Sequence, residues 1–153
     1  MITNPSRRSY LRAAVQEASP AGLVVILYDL LVDDLQGAIG AIRSGAIEER
    51  SRHLKHALLV LQFLEGGLNL QEGAAAGRSL SAFYAHLRRQ MVAAQIANDD
   101  SILARQIALV LEVREAWRTV DARPAVAAAS ISSAPPSREE GDLNPPESFR
   151  WSA

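Results

Sequence analysis

Apolar residues recur at alternating spacings of four and three along four stretches of the chain, and that spacing predicts helices. The first stretch carries Val24, Tyr28, Leu31, Leu35, Ala38 and Ile42, between about Pro20 and Ser44. Ser19 stands where a side-chain oxygen caps free helix N–H groups, Pro20 suits the first helical position, and Gly45 suits a left-handed stop. The second carries Ile47, Leu54, Leu58, Leu61 and Leu68 and predicts a helix from about Ile47 to Leu68. Glu48 and Glu49 lie favourably at its positive end. After a loop, "NLQEGAAAGRS", the third carries Leu80, Tyr84, Leu87, Met91 and Ala94 between about Ser79 and Ala97. "NDD" breaks it, and Asp99 or Asp100 can cap the fourth, about Ser101 to Asp121, which carries Leu103, Ile107, Val110, Arg114 and Trp117. No segment has the alternation of a strand. Four–three spacing is the seam of left-handed helix packing, and short connections favour antiparallel neighbours. The expected fold is all-α, an antiparallel up-down four-helix bundle over residues 19–121.

The pattern fades at both ends. Residues 1–18 form a separate N-terminal arm with Arg7, Arg8, Arg12 and Glu17, in which Tyr10 and Ala14, and Leu11 and Val15, fall one helical turn apart. An amphipathic helix this short is marginal alone and needs a surface to lie on. Residues 122–153 hold Pro124, Pro135, Pro136, Pro145 and Pro146, many Ser and Ala, and few large apolar residues. Such a tail cannot bury enough surface to offset its chain entropy and is expected to be disordered. Phe149 and Trp151 are its exceptions, incidental or a short docking motif.

Two stretches are more apolar than a bundle seam requires. In "SPAGLVVILYDLL" the residues Leu23, Ile26, Leu27 and Leu30 lie off the Val24/Tyr28/Leu31 seam; in "ALLVLQFL" the surplus is Leu59, Val60 and Phe63. In an antiparallel hairpin both surpluses fall at the same end. Either a small bundle is simply well buried there, or a hydrophobic groove for a partner is shielded by the arm around Tyr10, since a bare apolar patch invites aggregation. Asp29, within the first stretch, is expected to face solvent or to pair with an Arg across a helix.

Composition narrows the classes. The 153 residues are 48% hydrophobic and 22% charged with a net charge of −1, which gives no reason to expect nucleic acid or an anionic membrane as partner. There is no Cys, so disulfides, thiolate metal sites and Cys nucleophiles are excluded. The N-terminus lacks the apolar run of a secretory signal, and the longest apolar runs fall far short of the roughly 20 residues that span a bilayer. A cytoplasmic protein with no membrane insertion is expected. A di-iron bundle would need Glu-x-x-His, and no Glu here is followed by His three residues later. His53 and His56, in "RHLKH", read as a solvated helix face with no inward carboxylate beside them. No Ser/His/Asp arrangement and no phosphate loop is present. No catalytic residue, metal or cofactor is expected, and a metal-dependent enzyme is the remote alternative.

With the motifs in place, the chain resembles the flagellar export chaperones of the FliS family. The resemblance runs from about residue 10 to residue 120, through "ASP" (Ala18 to Pro20), "LYD" (Leu27 to Asp29), "SGAIEE" (Ser44 to Glu49), "LN" (Leu68, Asn69) and "LEVREAW" (Leu111 to Trp117). The third helix departs from the family pattern, reading Ser79-Leu80, Tyr84-Ala85-His86 and Ala94-Gln95, and Gly22 stands where the family often has a Glu, so the capping box is absent. The resemblance implies a four-helix bundle that binds the C-terminal segment of newly made flagellin in the cytoplasm. Binding would prevent premature polymerisation and keep the subunit competent for the flagellar export apparatus. It implies an arm that occupies a hydrophobic cleft when the partner is absent, with Tyr10 as plug over Leu23, Ile26, Leu27 and Leu30, and Leu87, Met91 and Gln95 as contacts on the third helix. Tyr28, Tyr84 and Trp117 read as core. The alternative on the same fold is a divergent adaptor for a flagellar regulator or a second chaperone, motivated by the altered third helix.

Overall fold

The computed structural model describes residues 5–68 and 74–122, and the regular elements among them are all helices. They are α1 (Pro5–Glu17), α2 (Pro20–Ser44), α3 (Ile47–Gly67), α4 (Ala74–Ala97) and α5 (Asp100–Ala122). The expected disordered tail, Phe149 and Trp151 included, lies outside the described residues apart from Ala122, which ends α5. Asn69 of the "LN" motif lies outside them too.

Local chemistry sets the boundaries. The Gly22 N–H donates to Ser19 Oγ at 2.9 Å, and the Ser19 hydroxyl also bonds the Asp121 carboxylate, which ties the start of α2 to the end of α5. At the other end Gly45 takes the left-handed φ of 71°, and its N–H and that of Ala46 return to the carbonyls of Ile42 and Ala41. The Ser101 N–H donates to Asp99 Oδ1 at 2.9 Å at the start of α5, and the hydroxyl and amide of Ser101 hold the Asp99 carboxyl below its ordinary value. α4 begins at Ala74, five residues ahead of the sequence expectation of Ser79. Ala has the highest helix propensity, so Ala74–Ala76 extend the helix and Gly77 does not stop it.

One core joins α2, α3, α4 and α5. α2 contributes Tyr28, Leu31, Leu35 and Ala38, α4 contributes Tyr84, Leu87, Met91 and Ala94, and α5 contributes Leu103 and Val110. These are the seams read from the sequence. On α3 the seam is displaced: Leu54, Ala57, Leu61 and Leu64 are buried together with Val60, Leu58 is half-buried and Ile47 is exposed. A four–three repeat can start 54–58–61 or 54–57–61–64, and only the neighbouring helices select between them. At the centre the hydroxyls of Tyr28 and Tyr84 lie 2.8 Å apart, both buried, and bridge α2 to α4. Burial pushes both phenols above their ordinary range.

Polar pairs fix how the helices sit. Between α2 and α5, Arg43 Nε reaches Asp100 at 2.6 Å and Asp29 reaches Arg114 Nε at 2.7 Å, in addition to Ser19 and Asp121. Between α3 and α4, Arg88 grips both oxygens of Glu65, and Arg50 Nη1 donates to Asn98 at 2.7 Å. In each series residue numbers fall along one helix as they rise along the other. Asp29 thus has the cross-helix Arg partner expected of it. The His53 ring lies flat on Gly37 of α2, where an added Cβ would stand 2.4 Å from a ring atom.

Tyr84→Phe should cost about 1–3 kcal/mol, because it leaves the buried Tyr28 hydroxyl with only the Trp117 N–H, which cannot accept its proton, and the double Tyr28→Phe/Tyr84→Phe variant should recover part of that loss in urea unfolding. Because the folded phenols titrate above the unfolded value of 10.0, wild-type stability should hold below pH 10 and fall as pH rises beyond it, a fall the double variant lacks. Gly37→Ala should cost about 1–3 kcal/mol by driving the His53 ring away from α2, and His53→Ala in that background should return part of it.

Candidate partner-binding surface

The N-terminal half of α2 is apolar on nearly every side, and its core seam uses one of them. Leu27 and Leu30 are half-buried and pack on the edge of the core; Ile26 is half-buried outside it, and Leu23 is 38% exposed. Positions 23, 27, 30 and 34 share one stripe at helical spacing. Asp34 shows where that stripe leads: it is only 8% exposed, and its two oxygens face Nδ1 of His53 and Nδ1 of His56 on α3. On α3 the stripe through His56 continues to Leu59 and Phe63, which are 53% and 72% exposed. The two stripes that meet at Asp34 therefore carry Leu23, Leu27 and Leu30 on one helix and Leu59 and Phe63 on the other. This is an apolar face left open between α2 and α3.

His53 and His56 thus depart from the sequence reading. They do not form a purely solvated face, because an inward carboxylate does stand beside them. It comes from another helix, 19 and 22 residues away, and so lay outside any local motif. Val60 departs as well: it belongs to the core and not to the surplus.

α1 lies beside the same region. Its Arg7 pairs with Asp33, and Asp33 shares a helical stripe of α2 with Ile26 and Leu30. Along α1 the residues one and two turns beyond Arg7 are Leu11 and Ala14, both half-buried. Tyr10 points elsewhere and is 74% exposed. Tyr10 is therefore not a plug in this structure; Leu11 and Ala14, beside it on α1, are the half-buried residues.

A family model described as flagellar protein FliS matches residues 2–124. The chain belongs to the FliS family. Among its relatives, the flagellar secretion chaperone FliS of Bacillus subtilis is 31% identical over 117 residues, 76% of this chain and 86% of that protein. The flagellar secretion chaperone FliSB of Pseudomonas aeruginosa is 28% identical over 107 residues, 70% and 85% of the two chains. That of Salmonella typhimurium is 25% identical over 111 residues, 72% and 82%.

In this FliS-family chain the third-helix residues expected to touch a partner divide. Leu87 and Met91 of α4 are fully buried core residues, so a ligand on the surface reaches neither. Their four–three spacing with Tyr84 and Ala94 already marked them as seam. Gln95 is exposed. The sequence did not single out Val92 and Ile96, which α4 also exposes; they lie one turn apart on a side of the helix away from its seam. No helix among the described residues is long and apolar enough to cross a membrane.

The arm geometry predicts a contrast. Leu11→Asp should free α1, quicken tryptic cleavage at Arg8 and Arg12, and raise binding of an apolar dye, while Tyr10→Ala should change neither. Equal behaviour of the two variants would show that α1 is not held by its Leu11 edge.

Proposed function

We propose that this chain is a cytoplasmic flagellar export chaperone that holds the C-terminal segment of newly made flagellin, preventing premature polymerisation and keeping it export-competent. The observation that carries this is the open apolar face of Leu23, Leu59 and Phe63, beside an arm that pairs with α2 through the exposed Arg7 and Asp33, in a member of the FliS family. An amphipathic segment exported unfolded would self-associate through its apolar stripe, and laying that stripe on a matching face removes both from water. Exposed ion pairs contribute only about 0–1 kcal/mol, so a partner that buries several apolar side chains can displace α1.

The domain organisation that goes with this reading is an arm over 1–18, a chaperone domain over 19–121 and a tail over 122–153. The chaperone domain is an antiparallel up-down four-helix bundle, α2 to α5, supported by the short α2–α3 and α4–α5 connections and by the falling register of the polar pairs. Leu23, Ile26, Leu27 and Leu30 form the wall on α2. Tyr10 and Gln95, both exposed, are free to contact the partner as it passes. Leu87 and Met91 support the wall from within.

Co-expression with the host flagellin followed by size-exclusion chromatography tests the reading, with a stoichiometric complex expected. Phe63→Asp and Leu23→Asp should each weaken capture of the flagellin C-terminal segment at least about tenfold, the equivalent of one desolvated apolar anchor, without lowering the thermal midpoint. Leu87→Ala should lower the midpoint before it affects capture. Pull-down of a flagellar regulator or another chaperone in place of flagellin would assign the adaptor role instead.

A further inference from the structure

Three arginines among the described residues are half-buried: Arg50, Arg88 and Arg114. Two have a carboxylate. Arg88 grips Glu65 with two hydrogen bonds, and Arg114 lies 2.7 Å from Asp29. Arg50 has none within ion-pair distance among the described residues. The acids near it are engaged elsewhere: Asp100 with Arg43, Glu49 with Arg52, Asp99 with the N–H of Ser101. Among the described residues the side-chain partner of Arg50 is neutral, the amide oxygen of Asn98, and its Nε is buried with no acceptor.

Beside Arg50 lies a cavity of about 250 Å³, lined by Ala41, Gly45, Ile47, Arg50 and Asn98. It sits where the α2–α3 turn meets the end of α4. Its size is that of about eight waters, enough for one side chain or a chain end and too small for a helix. Its walls are one guanidinium, one amide and the apolar surface of Ala41 and Ile47. A buried guanidinium N–H without an acceptor is costly, and a planar carboxylate is the group whose two oxygens match an Arg fork. A hydroxyl or amide would supply an acceptor without neutralising the charge.

We propose that this cavity is a binding site for a carboxylate carried on a short apolar stem, which supplies the counter-ion that Arg50 lacks within its own chain. The carboxylate is either an acidic side chain or the terminus of a partner chain, set down against Ile47 and Ala41. The site is separate from the apolar face at Leu59 and Phe63, since Arg50 lies near the start of α3 and those residues near its end.

The test is NMR of the arginine Nε–H groups in the full-length ¹⁵N-labelled chain, with butyrate as probe and butyramide as its neutral counterpart. Butyrate should shift the Arg50 Nε–H signal to saturation and leave that of Arg88 in place, while butyramide should shift neither. No shift, an equal response to butyramide, or a common drift of both arginine signals would overturn the proposal. Arg50→Gln assigns the signal. Asn98→Asp serves where that variant folds poorly: it keeps Arg50 and places a carboxylate beside it, so it should raise the thermal midpoint and abolish the butyrate response. An unaltered response in Asn98→Asp would also overturn the site. Two peptides separate the sources, acetyl-Ala-Ile-Glu-Ala-amide and acetyl-Ala-Ile-Gln-Ala with a free terminal carboxylate. The one with the lower half-saturation identifies an internal acid or a chain end as the natural ligand.

Discussion

The apolar surface of α2 is the constraint on which the rest of the structure depends. A helix at the edge of a bundle needs one buried stripe, and the first half of α2 offers apolar side chains around most of its circumference. The core of Tyr28, Leu31 and Leu35 covers one side. α3 and α5 close against the two flanks, and α1 lies near a fourth through Arg7 and Asp33. What remains open is the strip between α2 and α3. Each neighbour of α2 is therefore present because water would otherwise meet that surface, at roughly 25 cal/mol for each Å² left uncovered.

The three acids of α2 direct those neighbours. Asp29 meets Arg114 of α5, Asp33 meets Arg7 of α1, and Asp34 meets His53 and His56 of α3. Apolar packing is tolerant of sliding, because one leucine can replace another along a seam. A charge pair is not, so these contacts set register more than they add stability. Asp34 is the exception in cost: it is buried, and without the two histidines it would be a carboxylate with little solvent to replace them. Gly37 permits this arrangement, since its missing Cβ is the space the His53 ring occupies.

The sequence was most informative where one residue carries one job. Ser19, Pro20 and Gly45 gave the ends of α2 correctly, because a cap is decided by the local backbone. The repeats of α2 and α4 were legible for the same reason, each offering a single strong seam. α3 was not, because adjacent apolar residues at 57, 58, 60 and 61 allow two seams, and the choice belongs to α2 and α4. The pairing of Asp34 with the two histidines was hidden by distance along the chain. Tyr10 misled through size: in the arm it is the largest apolar side chain, yet it is exposed, while the smaller Leu11 and Ala14 are half-buried. Of the residues expected to form the partner surface, Leu23 is exposed and Ile26, Leu27 and Leu30 are half-buried, while Leu87 and Met91 had already been counted once, in the seam.

The separation of the two sites on α3 bears on what kind of partner fits. Positions 50 and 63 are thirteen residues apart, about 20 Å along the helix axis, and at about 100° per residue they fall on nearly opposite sides of α3. A ligand that seats a carboxylate beside Arg50 and apolar side chains on Leu59 and Phe63 must therefore follow α3 and also cross over it, which a small molecule or one straight helical segment cannot do and an extended segment that wraps round the helix can. Each contact alone is weak: a single carboxylate on a partly hydrated arginine gives little affinity, and an apolar face gives little direction. Joined in one chain they act together, because seating the first raises the effective concentration of the second. The apolar face would supply most of the affinity and the carboxylate the direction in which the segment lies. That division matches a chaperone that must hold a client in one orientation and still let it go.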